Sequence, residues 1–387
     1  MSSQNFTKGF YWGAATASFQ IEGATKEDGR GESIWDRFCA TPGKILTGET
    51  GDPATDSYHH YKDDIALMTE MGLNAYRFST AWPRILPDGN GRVCEKGLDY
   101  YDRVVDALLQ AGVRPFITLY HWDLPQALQD RGGWASRATL DAYVRYCDIV
   151  VKRLGDRVKD WMTHNEPWCV SILSNEIGEH APGNHDRKLA LQIAHNLLVS
   201  HGMVVPVIRQ RCSDAKVGIV LNMSPSYPAT DSEADQALAR QVHARSNLWF
   251  LDPIAGRGYP QDAWEGYGAD VPQVEAGDME TISVPIDFLG VNFYSRTVCH
   301  DPNGGEGSRV LNTRSQTYLT GRDWEIYPQA LYDLLVSIRN GYNFKNIILT
   351  ENGASYPDVV SPDGHIHDAL RIDYLQKHLS TLLRAIE

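Results

Sequence analysis

Short apolar runs of strand length alternate with longer stretches of helical period along this chain. Residues 10–17, 74–79, 113–120, 160–165, 216–222, 287–294 and 346–351 read as strands. Residues 58–71, 98–111, 139–154, 189–211, 232–248, 328–340 and 371–386 read as the helices between and after them. Buried strands alternating with helices are the signature of a parallel sheet. Three helix–strand joints, Met71-Gly72, Ala111-Gly112 and Leu154-Gly155, carry the glycine that a helix C-cap favours. The Gly- and Pro-rich segments 41–53, 86–92, 301–308 and 357–365 read as surface loops. With no linker, low-complexity tract or solenoid repeat, residues 1–387 are expected to form one domain. The predicted class is α/β, a (β/α)8 TIM barrel of which seven βα units are present. A closed barrel of this kind has eight strands, so the chain reads as C-terminally incomplete, with two unpaired sheet edges.

A glutamate stands at the end of two of the predicted strands, one just past 160–165 and one closing 346–351. Glu166 closes Trp-Met-Thr-His-Asn-Glu-Pro-Trp (161–168), and Glu351 closes Ile-Ile-Leu-Thr-Glu (347–351) ahead of Asn352-Gly353. A carboxylate at the C-terminal end of a barrel strand points into the mouth where such folds keep their active sites. Either glutamate alone reads as a surface or N-cap carboxylate. Matched at two strand ends, they are the minimum equipment for breaking a glycosidic bond. Aromatic bulk beside Glu166 is expected to raise its pKa, and Arg77, near the end of the second strand, is placed to keep Glu351 ionised. His121 and Trp122 follow the third strand as candidate donors to sugar hydroxyls, with Gln20 a further candidate. Asn292 and Tyr294 alternate onto one face of the sixth strand, where Tyr294 reads equally as a partner to a carboxylate nucleophile or as a core tyrosine.

Composition narrows the alternatives. The formal charge of −13, from 36 basic and 49 acidic residues, comes without a Lys/Arg block, which argues against nucleic-acid or anionic-membrane partners. There is no run of eighteen apolar residues and no apolar h-region at the start. Six dispersed cysteines without a Cys-x-x-Cys pair read as free thiols, and a cytoplasmic location is the expectation. His59-His60 and His365-x-His367 lack the company a metal site needs. No phosphate loop or Gly-x-Ser-x-Gly occurs.

Taken together, Phe-x-Trp-Gly-x-Ala-Thr-Ala-Ser (10–18), Tyr-Arg-Phe-Ser (76–79), His-Trp-Asp-Leu-Pro (121–125), Asn-Glu-Pro (165–167), Ala-Pro-Gly (181–183), Asn-Phe-Tyr-Ser (292–295) and Thr-Glu-Asn-Gly (350–353) resemble the family 1 glycoside hydrolases. The resemblance covers nearly the whole chain. It implies a retaining β-glycosidase of β-glucosidase type, acting on terminal β-D-glucosyl residues of cellobiose-like or aryl glucosides. Glu351 would be nucleophile and Glu166 acid/base, with no metal, nucleotide or other cofactor. The partner is then a small β-glucoside or oligosaccharide. The positions matching Gln20, His121, Trp122 and Asn165 hold the non-reducing sugar in that family. Those matching Arg77, Asn292 and Tyr294 contact or orient the nucleophile. Trp168, Cys169 and Leu173 would line the aglycone side, and Trp324 belongs to the same wall. Three comparisons sharpen the expectation. Glu166 is present where plant thioglucosidases lose it, Trp122 stands where 6-phospho members usually carry Phe, and Ser174-Asn175 replaces the usual Gly followed by Tyr or His. The Trp-Ser-x-x-Asp-Asn-x-Glu-Trp motif of the family's eighth strand is not found in this sequence. Its loss would make an impaired glycan-binding fragment, or half of a split enzyme, the alternative.

Overall fold

The computed structural model describes residues 5–302, 309–311 and 324–387. Seven strands pair in parallel and in chain order: β1 (Gly13–Ala15), β2 (Ala75–Ser79), β3 (Arg114–Tyr120), β4 (Asp160–Asn165), β5 (Lys216–Asn222), β6 (Phe288–Asn292) and β7 (Ile347–Glu351). The long helices are α1 (Ser57–Glu70), α2 (Glu95–Gln110), α3 (Arg137–Leu154), α4 (Arg187–Arg211), α5 (Glu233–His243), α6 (Gln329–Gly341) and α7 (Ala369–Ile386). Each follows one strand, which is the barrel architecture the sequence pattern predicts. β4 and β5 match their predicted bounds at both ends.

Residues spaced for one helical face drive the packing. In α2, Leu98, Tyr101, Val105 and Leu108 are buried against the strands while the opposite side stays wet. The Asp186 carboxylate caps α4 by accepting from Leu189 N at 3.0 Å, and Ser232 Oγ caps α5 by accepting from Asp235 N at 3.1 Å. Each such cap is worth about 1 kcal/mol. The window in α4 that is apolar enough to cross a membrane is 78% buried inside the fold, so it serves as a core helix. Inside the barrel, Ala75, Phe116, Met162, Val220, Phe288 and Ile348 contribute one side chain from each of β2 to β7 to an apolar layer.

Several local expectations change. Gly72 and Gly112 do take left-handed φ values of +76° and +73°. Gly155 does not, with φ −71°; it is needed because a Cβ there would lie 2.5 Å from the Val151 carbonyl oxygen. The predicted helix 232–248 ends at His243 and continues as a π turn, Ala244–Leu248, where Asn247 exchanges hydrogen bonds with the Ser224 backbone. A three-stranded sheet of Ser226–Pro228, Thr297–His300 and Arg309–Leu311, and a π-helix at Cys169–Ile177, have no counterpart in the sequence reading. Most of the predicted loop 301–308 lies outside the described residues.

Strand 10–17 shrinks to three residues because it is an edge. Among the described residues β1 pairs with β2 alone, and Tyr11 and Trp12 are exposed. At the other end β7 pairs only with β6. The two end strands come within 8 Å of each other, yet among the described residues no ladder joins them. A cavity of about 2270 Å³ runs from the strand C-termini down this seam to Asp160, Lys216 and Asn346 at the opposite rim. It is far larger than one sugar requires because it includes the seam.

Candidate active site

Glu166 lies one residue past β4, with its backbone in the left-handed region at φ +50°. A β-carbon makes that conformation cost on the order of 1–2 kcal/mol, so neighbouring bonds must hold it. Its N–H donates to Val220 O at 2.9 Å, and its carbonyl accepts from Cys169 N at 2.9 Å. The result aims a buried carboxyl into the cavity. Asn292 Nδ2 donates to Oε1 at 2.7 Å, and Cys169 Sγ approaches Oε2 at 3.2 Å. Burial first, and then the negative charge of Glu351, push the Glu166 pKa above the ordinary glutamate range, against the donors Asn292 and Cys169 and the charge of Arg77.

Glu351 ends β7 after a bulge that sets it opposite Asn292. Arg77 Nη1 meets Oε1 at 2.5 Å, and the Tyr294 hydroxyl donates to Oε2. Burial alone would raise this carboxyl. The Arg77 charge and the bonds from Tyr294 and Arg77 outweigh it and hold the pKa below the usual value. The turn beyond is fixed by Asn352 Nδ2, which donates to Phe293 O at 2.8 Å and to Tyr374 Oη at 2.9 Å. The surroundings therefore push the two carboxyl pKa values apart, Glu166 upward and Glu351 downward. Such a pair supplies a proton donor and a nucleophile or base.

The remaining predicted residues fall into two groups. Gln20, Arg77, His121, Trp122, Asn292, Tyr294, Trp168, Cys169, Leu173 and Trp324 all line the cavity. Trp324 faces Tyr294 with ring centroids 5.4 Å apart. His121 is buried and its pKa falls to about 3, which keeps the imidazole neutral. Asn165 instead lies behind the wall as a hub. Its Oδ1 accepts from Arg77 Nη2 at 2.6 Å and from Asn292 Nδ2 at 3.1 Å, and its Nδ2 donates to His121 Nε2 at 3.1 Å. The Trp122 indole N–H, expected as a donor to substrate, is already used on Asn165 O at 3.1 Å. Trp122, with φ +81°, lines the cavity with its ring stacked on Trp35 and tilted against His180.

Several supporting residues escaped the sequence reading. Thr118 Oγ1 accepts from Arg77 Nε at 3.0 Å, and Thr350 Oγ1 donates to Asn292 Oδ1 at 2.6 Å. Ser18 Oγ donates to Asp123 Oδ2 at 2.7 Å beneath the His121-Trp122 turn. Thr118 shares one face of β3 with Phe116, which is the one signal that could have pointed to it. His59 and His60 pair with Asp56 and Asp63 on the surface, and His367 pairs with Asp363.

The model of glycosyl hydrolase family 1 matches residues 2–387. Beta-glucosidase A of Acetivibrio thermocellus is 46% identical over 392 residues, which cover 100% of this chain and 87% of the relative. The structure of a family 1 b-glucosidase from Thermotoga maritima superposes with a TM-score of 0.96 at 43% identity, covering 100% of this chain and 86% of that one. The Thermotoga maritima beta-glucosidase in complex with deoxynojirimycin gives 0.96 at 44% identity, covering 99% and 86%. With likeness of this extent in both sequence and backbone, and paired glutamates at the mouth of the barrel, this chain belongs to glycosyl hydrolase family 1.

Proposed function

We propose that the chain is a retaining β-glucosidase that removes terminal β-D-glucosyl residues from cellobiose-like or aryl glucosides by double displacement. Beta-glucosidases among its relatives support the substrate class, as does a neighbour bound to the sugar-like inhibitor deoxynojirimycin. The observation that carries the mechanism is the opposed electrostatics of Glu351 and Glu166.

In the first step a Glu351 carboxylate oxygen attacks the anomeric carbon and the bond to the aglycone oxygen breaks. Glu166 gives that oxygen its proton, and the sugar is left as an ester on Glu351. Esterification removes the negative charge of Glu351, one of the causes that keeps Glu166 protonated. Glu166, now ionised, takes a proton from water, whose oxygen attacks the anomeric carbon and releases the sugar. Arg77 and Tyr294 keep Glu351 ionised and oriented, while Gln20, His121, Trp122 and Asn292 face the sugar and Asn165 anchors them from behind. Trp168, Cys169, Leu173 and Trp324 flank the aglycone.

Proton NMR of the first-formed product from an aryl β-glucoside tests this. The β-anomer should appear first and then mutarotate; the α-anomer first would mean inversion and remove Glu351 as a nucleophile.

A further inference from the structure

One buried group beside Glu166 has so far been given a place on the aglycone side but no part in the proton transfers. Cys169 Sγ sits 3.2 Å from Glu166 Oε2, in the first turn of the π-helix Cys169–Ile177. We propose that Cys169 is a positioning residue for the acid/base, its S–H donating to Glu166 Oε2 to orient the carboxyl and favour its ionised form in the water-activating step. This goes beyond lining the aglycone side and rests on the reading of Glu166 as acid/base.

Three observations carry it. The thiol is protonated and so can donate: burial, then the charges of Glu166 and Glu351, push its pKa well above the usual cysteine range. The two oxygens of Glu166 are also unequal. Oε1 receives an amide N–H from Asn292 at 2.7 Å, whereas among the described residues Oε2 receives the longer, weaker S–H bond alone. The acid's proton therefore belongs on Oε2, away from the stronger donor. A thiol tolerates both states there, donating weakly to the carboxylate and accepting weakly from the acid, where an amide would lock in the ionised form.

The third observation is how firmly the thiol is held. Cys169 N donates to Glu166 O at 2.9 Å, Ser174 Oγ to Cys169 O at 2.8 Å, and Asn175 Nδ2 to Val170 O at 2.8 Å. Asn184 Nδ2 then donates to Asn175 Oδ1 at 2.8 Å. The buried Ser174-Asn175 pair thus secures the start of a π-helix, a form found mostly as short turns at functional sites.

The test is the pH profile of kcat/KM on an aryl β-glucoside for wild type, Cys169→Ala, Cys169→Val and Cys169→Ser. Loss of a donor to the carboxylate disfavours ionisation, so the basic limb should move to higher pH by about half a unit in the Ala and Val variants. Cys169→Ser should bring it back toward wild type. Folded Ala or Val variants with an unmoved limb would overturn the proposal, since a merely structural cysteine would change stability alone. Two apolar variants of different volume guard against one that does not fold. Failure of the acid/base reading shows separately: a basic limb that survives in Glu166→Ala would overturn both.

Discussion

The two glutamates sit at equivalent ends of parallel strands, yet the walls behind them are built differently. β4, beneath Glu166, lies between β3 and β5, and every one of its residues is buried. β7, beneath Glu351, is an edge strand paired only with β6, and Ile347, Ile348 and Leu349 are half-buried. Glu166 is buried, whereas Glu351 is only partly so. The contrast suits the chemistry. An acid that must hold its proton gains from a dry, packed surrounding, whereas an ionised nucleophile tolerates water and needs cationic and hydroxyl partners. Packing therefore sets the state of Glu166. Polar contacts brought in from elsewhere, Arg77 from β2 and Tyr294 from beyond β6, set the state of Glu351.

Breaking this contrast should require different substitutions on the two sides. The largest effect is expected from the carboxylates themselves. Glu351→Ala should reduce turnover of any glucoside to the level of a blank. Glu166→Ala should cost roughly 10²–10⁴-fold on a poor leaving group. It should cost much less on an activated aryl glucoside, with the basic limb lost, as steady-state kinetics on the two substrates would read. Equal losses on both substrates would contradict the assignment.

Smaller effects belong to the partners of Glu351. Arg77→Met removes the cation from a mostly buried pair, a change that typically costs about 3–5 kcal/mol. Glu351 is held below its ordinary value by that charge, so its pKa should rise and the acidic limb should move to higher pH. Tyr294→Phe removes one hydrogen bond to a charged group, about a tenfold loss, with a smaller shift of the same sign. Neither change should move the basic limb as far as the acidic one. A basic limb that moves further would mean the two walls are not separate.

Much of this was legible in the residues. β4 and β5 were delimited because their apolar runs are buried on both faces and bounded by punctuation such as Pro167. Glu166 and Glu351 stood out because each ends such a run. Arg77 was predicted as the cation from its place on the second strand alone. What stayed hidden is what depends on three-dimensional convergence. The π-helix has no sequence period of its own, so the approach of Cys169 to Glu166 could not be read. The place of Asn165 behind the wall is set by Arg77, His121 and Asn292, each from a different strand or strand end. The Trp122 N–H was assigned to substrate because nothing in the sequence shows that the Asn165 carbonyl lies within reach of it.

The most direct test of the account is a covalent trap. A 2-deoxy-2-fluoro-β-D-glucoside with an activated leaving group should let the first step proceed and slow the second, and the labelled protein can be mapped by peptide mass spectrometry. The account predicts one fluoroglucosyl unit per chain, on Glu351, formed in step with the loss of activity. A label on another carboxylate, or full activity with no label, would contradict it.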